Sequence, residues 1–200
     1  MTDGAKCGKI YHGKINGIYP KGRKKMNKTK FLSYCAIFAA LTAVLSQISL
    51  PIGPVPINLA LMSPVIAALL FGIQVGVTSQ AVYVLLGAVG LPVFSGFRGG
   101  LSALAGPTGG YIIGYILCAL LAGVIIKYSK EKSVSMLVLA AVAGTLICYL
   151  FGTIWFVYQQ KTTFAAALSL CVFPFLPGDA VKIALDTLIV RKISKTVNNQ

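Results

Sequence analysis

The sequence predicts an all-α integral membrane protein with six transmembrane helices and both termini cytoplasmic. Three observations predict it. Only 11% of the 200 residues are charged, against roughly 25% in soluble domains, and the mean hydropathy is +0.82. No Asp, Glu, Lys or Arg occurs from Phe31 to Phe97, from Gly99 to Ile126 or from Ser133 to Gln160. A bilayer crossing takes about 20 apolar residues, so the first run holds three crossings and the other two hold one each. A sixth fits near the C-terminus. The third observation is charge asymmetry. If the N-terminus is inside and sides alternate, fifteen basic residues lie inside and two, Arg98 and Lys161, lie outside. That is the positive-inside pattern.

Residues 1–30 carry nine of the 18 basic residues and show no apolar periodicity. They read as a basic cytoplasmic tail. A basic run flanking a membrane segment is a topology signal more often than a nucleic-acid site, so no nucleic-acid partner is expected. Met26 precedes Asn-Lys-Thr-Lys and an apolar run, and residues 1–25 read as a start-site extension. Residues 31–200 form one membrane domain.

The expected helices cover about 31–50, 56–72, 74–91, 107–127, 134–157 and 177–192. The first is longer than a signal-peptide core and lacks a small-residue cleavage site. Pro51, Pro54 and Pro56 place a loop before the second. Gly72 and Gly76 separate the second from the third. Leu91-Pro-Val-Phe-Ser-Gly-Phe-Arg-Gly-Gly is the next loop. Lys127 to Lys132 is a polar turn between the fourth and fifth helices. Pro177 suits the first turn of the last helix. Residues 159–176 have no clear assignment, either an interfacial segment or part of the last crossing.

Ionisable groups inside a membrane are costly and mark candidate sites. Asp179, Lys182 and Asp186 stand at i, i+3, i+7 on one face of the last helix. Asp179 and Lys182 read either as a self-neutralising pair or as a ligand site open to the outside. Asp186 reads as structural, paired with Lys182 or with basic groups at the inner surface. Arg98 lies in a glycine loop flanked by Phe94, Phe97 and Leu101, which suggests a lid able to meet an anion.

Gln80, Tyr83 and Gly87 share a face of the third helix, and Gln and Tyr need polar partners at depth. Asn58 starts the second helix, where a cap is the plain reading. Gly106, Gly110, Gly114, Cys118 and Ala122 form a small-residue ridge suited to close helix packing. Ala36/Ala40 and Ala39/Ala43 are similar pairs that face either the bundle or a partner. Trp155 and Tyr158 suit an aromatic belt.

Other motifs carry nothing. The phosphate-loop-like Gly8 to Lys14 has Ile15 where Ser or Thr must stand. The sequon at Asn27 falls on the cytoplasmic side. Cys7, Cys35, Cys118, Cys148 and Cys171 form no Cys-x-x-Cys, and the single histidine, His12, is in the tail. No metal site, resident cofactor or Ser/His/Asp set is expected. The residues alone describe an outward-facing site for a small ligand, anionic at one end and hydrogen-bonding at the other.

At four segments the sequence resembles the BioY family, the biotin-specific substrate-binding subunits of energy-coupling factor (ECF) transporters. They are Pro54-Val-Pro-Ile, Tyr83-Val-Leu-Leu-Gly-Ala-Val-Gly-Leu-Pro-Val-Phe, Gly99-Gly-Leu-Ser-Ala-Leu-Ala-Gly-Pro-Thr-Gly-Gly-Tyr and Phe175-Leu-Pro-Gly-Asp-Ala-Val-Lys. The resemblance runs from about Phe31 to Lys192. It implies biotin as ligand, a transmembrane coupling protein and two cytoplasmic ATPases as partners, and the plasma membrane of a prokaryote as location. Asp179 and Lys182 fall on the family's Gly-Asp-x-x-Lys positions and Arg98 on its loop arginine. Ala36-Ile-Phe-Ala-Ala40 resembles the motif that docks on the coupling protein. Asn58-Leu-Ala60 departs from the family's Thr-Leu-Gln.

Biotin spans about 10 Å, whereas an i, i+3 step rises about 4.5 Å. The expectation is therefore that Asp179 accepts from the ureido N–H, while Lys182 or Arg98 takes the carboxylate. Phe94 and Tyr111 would pack the ring and chain. Two alternatives stay open: a subunit for another small vitamin, and a self-sufficient channel or proton-coupled carrier using Asp179, Lys182 and Asp186.

Overall fold

The computed structural model describes residues 26–50, 55–129 and 133–198, with side chains to residue 194. The tail before residue 26, Pro51, Pro54, Lys130, Lys132 and the side chain of Lys195 lie outside the described part. Each of the six expected helices has a counterpart. They are α1 (Lys28–Gln47), α2 (Met62–Phe71), α3 (Ile73–Ala88), α5 (Gly109–Tyr128), α6 (Val134–Gln160) and α8 (Leu176–Asn198). Two short helices were not expected, α4 (Leu101–Ala105) and α7 (Phe164–Cys171).

The second helix starts later than expected. Residues 56–61 are not helical: β1 (Ser49–Leu50) and β2 (Ile57–Asn58) pair antiparallel, Ser49 opposite Asn58 and Leu50 opposite Ile57. Proline donates no backbone hydrogen bond, and Pro56 stands just before β2 instead of opening α2. Asn58 is therefore a strand residue, not a helix cap. Pro64 falls in the first turn of α2, where its missing N–H has no helical partner to lose.

α2 is the centre of the molecule. It meets α1, α3, α5, α6 and α8, and Met62 to Leu69 are all buried. Gly72, at φ 88° with its N–H on the Ala68 carbonyl, breaks α2 from α3. At about 1.5 Å per residue, α2 and α3 are each shorter than the hydrocarbon core of a bilayer. α1, α5 and α6 are long and apolar enough to cross one. Residues 159–176, without an assignment from sequence, contain α7, which meets α8 at a 56° bend; together the two are apolar enough to count as a fourth candidate span, either a broken crossing or a re-entrant loop. Thr163 caps α7 and Ser133 caps α6, each accepting from a backbone N–H three residues on.

Polarity is distributed for a hydrocarbon solvent. Leu32, Ile37 and Val44 on α1, Leu139, Leu146 and Leu150 on α6, and Val181, Leu185 and Leu188 on α8 point outward. Thr42, Ser63, Ser79, Gln80, Thr145, Thr153, Asp179, Lys182 and Asp186 point inward. Each inward polar group must find a partner within the bundle. The Gln80 side chain donates to Thr42 Oγ1 (3.1 Å), and Thr42 donates to Ser63 Oγ (2.8 Å). This chain ties α1, α2 and α3 together. Cys35, Cys118, Cys148 and Cys171 are free and buried.

The small-residue ridge packs α5 on α6, the most extensive helix pair. A methyl group at Gly114 would lie 2.9 Å from Cys148 Sγ, and one at Gly144 3.0 Å from the Cys118 carbonyl. Gly106 is not part of this ridge, since it ends α4 before α5 begins. Trp155 is half-buried and donates to the Gly106 carbonyl at 3.0 Å, so it anchors α4 to α6, whereas Tyr158 is exposed.

Gly114→Val should push α5 and α6 apart and cost about 1–3 kcal/mol, the usual penalty of overpacking. Gly178→Ala, where a methyl group meets nothing within 4 Å, should leave stability unchanged. Thermal melts of the detergent-purified variants read both outcomes.

Candidate functional site

A cavity of about 580 Å³ opens between the β1–β2 hairpin, the α3–α4 loop, α5, α6 and α8. The first wall is the α3–α4 loop. Phe94 and Arg98 exchange backbone hydrogen bonds (2.9 and 3.2 Å), closing a small hairpin. Its tip turns because Gly96 and Phe97 both have positive φ, 72° and 56°. Phe94 folds inward, 2% exposed. It stacks edge-on against Tyr83, with centroids 5.5 Å apart, and lies directly over Gly87, where any Cβ would overlap its ring. Arg98 is carried to the exposed rim of the cavity.

Tyr111 and Tyr115 line the cavity from α5, Tyr149 from α6 and Phe175 from the α7–α8 bend. Tyr111 and Tyr149 meet edge to face at 6.4 Å, and Tyr149 stacks on Phe175 at 6.1 Å. Such pairs fix ring orientation and bury large area. Their polar tips are satisfied: Tyr115 donates to Asn58 Oδ1 (3.3 Å), Tyr83 to the Val93 carbonyl (3.3 Å), and Tyr111 shares a hydrogen bond with Thr153 (3.2 Å). Asn58 also accepts from the Ala60 N–H, and its bond with Tyr115 ties β2 to α5.

The charged part of the site lies on α8. Lys182 Nζ meets Asp179 Oδ1 at 3.1 Å, and Tyr149 donates to Asp179 Oδ2. Both residues of the pair are buried. Lys182 and Tyr149 face the cavity, while Asp179 stands behind them and is not on its wall. Asp186 does not pair with Lys182 as expected, because Lys182 turns one helical turn the other way to Asp179. Asp186 is 2% exposed, and its Oδ1 has no hydrogen-bond partner among the described residues.

The structure thus brings Asn58, Tyr83, Phe94, Arg98, Tyr111 and Lys182 to one cavity, with Asp179 one atom layer away. It does not bring Gln80 there. Gln80 shares a helix face with Tyr83, but it sits about one turn deeper and spends its amide on Thr42 and Ser79. Sequence reasoning missed Tyr115, Tyr149 and Phe175. The signal that singled out Tyr83, a phenol inside an apolar helix, also applied to Tyr115 and Tyr149. Ala36 and Ala40 lie exposed on the outer face of α1, and Ala39 is buried, so the first small-residue pair faces outward.

The arrangement suits a small molecule with an apolar middle. Aromatic walls pack the body, Asn58, Tyr149 and Lys182 supply hydrogen bonds, and Arg98 supplies positive charge at the rim. Asp179→Asn alone should cost about 3–5 kcal/mol of stability, because it strands a buried ammonium. The double variant Asp179→Asn/Lys182→Met should recover much of that loss, read by melting temperature in detergent.

Comparison with known proteins gives one consistent answer. The family model described as the BioY family matches residues 21–199. A probable biotin transporter BioY from Pyrococcus horikoshii is 39% identical over 166 residues, covering 83% of this chain and 97% of its own. The biotin transporter BioY from Thermotoga maritima is 38% identical over 162 residues, covering 80% and 92%. The 2.1 Å crystal structure of the S-component for biotin from an ECF-type ABC transporter superposes with a TM-score of 0.78 at 31% identity. It covers 87% of this chain and 95% of its own. With sequence and fold matching over nearly their whole length, the chain belongs to the BioY family.

Proposed function

We propose that this chain binds biotin in the aromatic cavity and is the substrate-binding subunit of an ECF-type transporter. A transmembrane coupling protein and two cytoplasmic ATPases complete the transporter, in the plasma membrane of a prokaryote. The chain itself performs no chemistry. The observation that carries the reading is the cavity, in a chain whose relatives bear the name biotin transporter: aromatic walls, an arginine at the rim and a buried Asp–Lys pair against one wall.

The ligand's two ends are assigned by electrostatics. Lys182 is already neutralised by Asp179 at 3.1 Å, whereas Arg98 lies exposed at the rim. The carboxylate therefore goes to Arg98, whose guanidinium forms charge-assisted hydrogen bonds. The ureido ring lies against Asn58, Tyr149 and Lys182. Asp179 orients Tyr149 and Lys182 from behind the cavity wall, and acts on the ligand through them.

Six membrane crossings with cytoplasmic termini fit the helices. α2 is short and packs against α1, α3, α5, α6 and α8. The smooth outer face of α1 at Ala36 and Ala40 is the surface on which the coupling protein docks.

Isothermal titration of the purified chain should show one biotin bound per chain, with binding lost in Lys182→Ala. Arg98→Ala should weaken biotin about tenfold to a hundredfold, the worth of one charge-assisted bond, and should barely affect biotin amide. Equal loss for both ligands contradicts the carboxylate assignment, and a panel of other vitamins tests the choice of biotin. Ala40→Arg should abolish co-purification with the coupling protein and leave biotin affinity intact.

The second reading, a self-sufficient proton-coupled carrier, draws on Asp186. Its carboxyl borders a cavity of about 10 Å³ that also touches Asp179 and Lys182. Biotin uptake into vesicles holding this chain alone would favour the carrier; uptake only with the ATPases favours the subunit.

A further inference from the structure

Gln47 is the last residue of α1, and the reading above gives it no role. Its side chain reaches across to the α3–α4 loop and holds that loop at three points. Nε2 donates to the carbonyls of Val93 (3.2 Å) and Phe94 (3.1 Å), while Oε1 accepts from the Phe97 N–H (3.0 Å). The same amide thus grips the first strand and the tip of the Phe94–Arg98 hairpin. Ser46, one residue earlier, donates to the Val93 carbonyl at 2.6 Å, and Tyr83 donates to it from α3.

The hairpin needs such a hold. Gly96 and Phe97 are consecutive residues at positive φ, a conformation that costs a non-glycine residue energy. The bond from the Phe97 N–H to Gln47 fixes the residue that bears this cost. Arg98 follows immediately, and its own N–H returns to the Phe94 carbonyl, the atom Gln47 also binds. The placement of the guanidinium at the rim is therefore set by the backbone that Gln47 clamps.

We infer that Gln47 is a positioning residue: it latches the α3–α4 hairpin to the end of α1 and so holds Arg98 over the bound ligand. Gln47 itself does not line the cavity and acts through the loop that does. The inference rests on the ligand reading proposed above. It adds a mechanical link from α1, the helix whose outer face carries Ala36 and Ala40, to the mouth of the cavity.

The test uses Gln47→Met, which keeps length and removes all three bonds, and Gln47→Glu, which keeps the acceptor for Phe97 but loses the donors. In ligand-free protein, hydrogen–deuterium exchange of the peptide carrying Phe97 should rise about tenfold in Gln47→Met, as expected for losing bonds of ordinary worth. It should rise less in Gln47→Glu. Biotin should dissociate about tenfold faster from Gln47→Met, by the same estimate, with biotin amide little affected. In an Arg98→Ala background, Gln47→Met should add nothing, because the two act in series.

Unchanged exchange at Phe97 overturns the inference. So do effects of Gln47→Met and Arg98→Ala on biotin that multiply. A wild-type chain that binds no biotin sinks the ligand reading, and the exchange measurement then decides the latch by itself: faster exchange supports it, unchanged exchange overturns it.

Discussion

A chain solvated by hydrocarbon must satisfy its polar groups internally, and the Asp179–Lys182–Tyr149 cluster is where that demand is greatest. Two opposite charges are buried together at 3.1 Å, and the phenol takes the second carboxylate oxygen. An uncompensated charge at this depth costs several kcal/mol. The cluster therefore fixes how α8 is rotated and how α6 faces it. Tyr149 is thereby set against Phe175, and the walls of the cavity follow. Of the groups that let α8 enter the membrane, Lys182 and Tyr149 also line the cavity.

The small residues solve the opposite problem. Between α5 and α6 there is no water to expel, so association rests on close contact. Gly110, Gly114, Gly144 and Gly152 let the backbones approach, and this brings Tyr111 and Tyr149 within one cavity. Gly87 does the same for a loop: its missing side chain is the space that Phe94 fills. α1 serves two surfaces at once. Its inner face holds the polar chain through Thr42, its outer face is smooth at Ala36 and Ala40, and its last two residues hold the loop at the cavity mouth.

Much of this was legible in the sequence because the signals are local. Charge-free runs mark helices, and each of the six expected helices has a counterpart, of which three are long and apolar enough to cross a membrane. The i, i+3 spacing of Asp179 and Lys182 put them on one face, and they pair. The glycine-flanked Arg98 was read as a lid arginine and does stand at the rim. The failures have physical causes. Strands of two residues have no periodicity to detect, so the β1–β2 hairpin was read as the start of a helix. α7 follows a polar stretch and is only eight residues long, well short of the about 20 that a bilayer crossing takes. Helical periodicity gives a face but not a depth, which is why Gln80 was grouped with Tyr83. Lys182 is within reach of both Asp179 and Asp186, and spacing does not say which carboxylate wins.

The sequence by itself determined the solvent, the helical class and the residue types available for a site, because hydropathy and net charge are sums over local segments. It also determined the family, through four motifs in order. Only the tertiary structure decided which tyrosines share a cavity, which carboxylate holds Lys182, which small-residue face of α1 is outward and that Gln47 grips the Arg98 loop. These depend on how far apart elements distant in sequence lie and how they are rotated. Such distances are set by the packing of whole helices, which no local pattern contains.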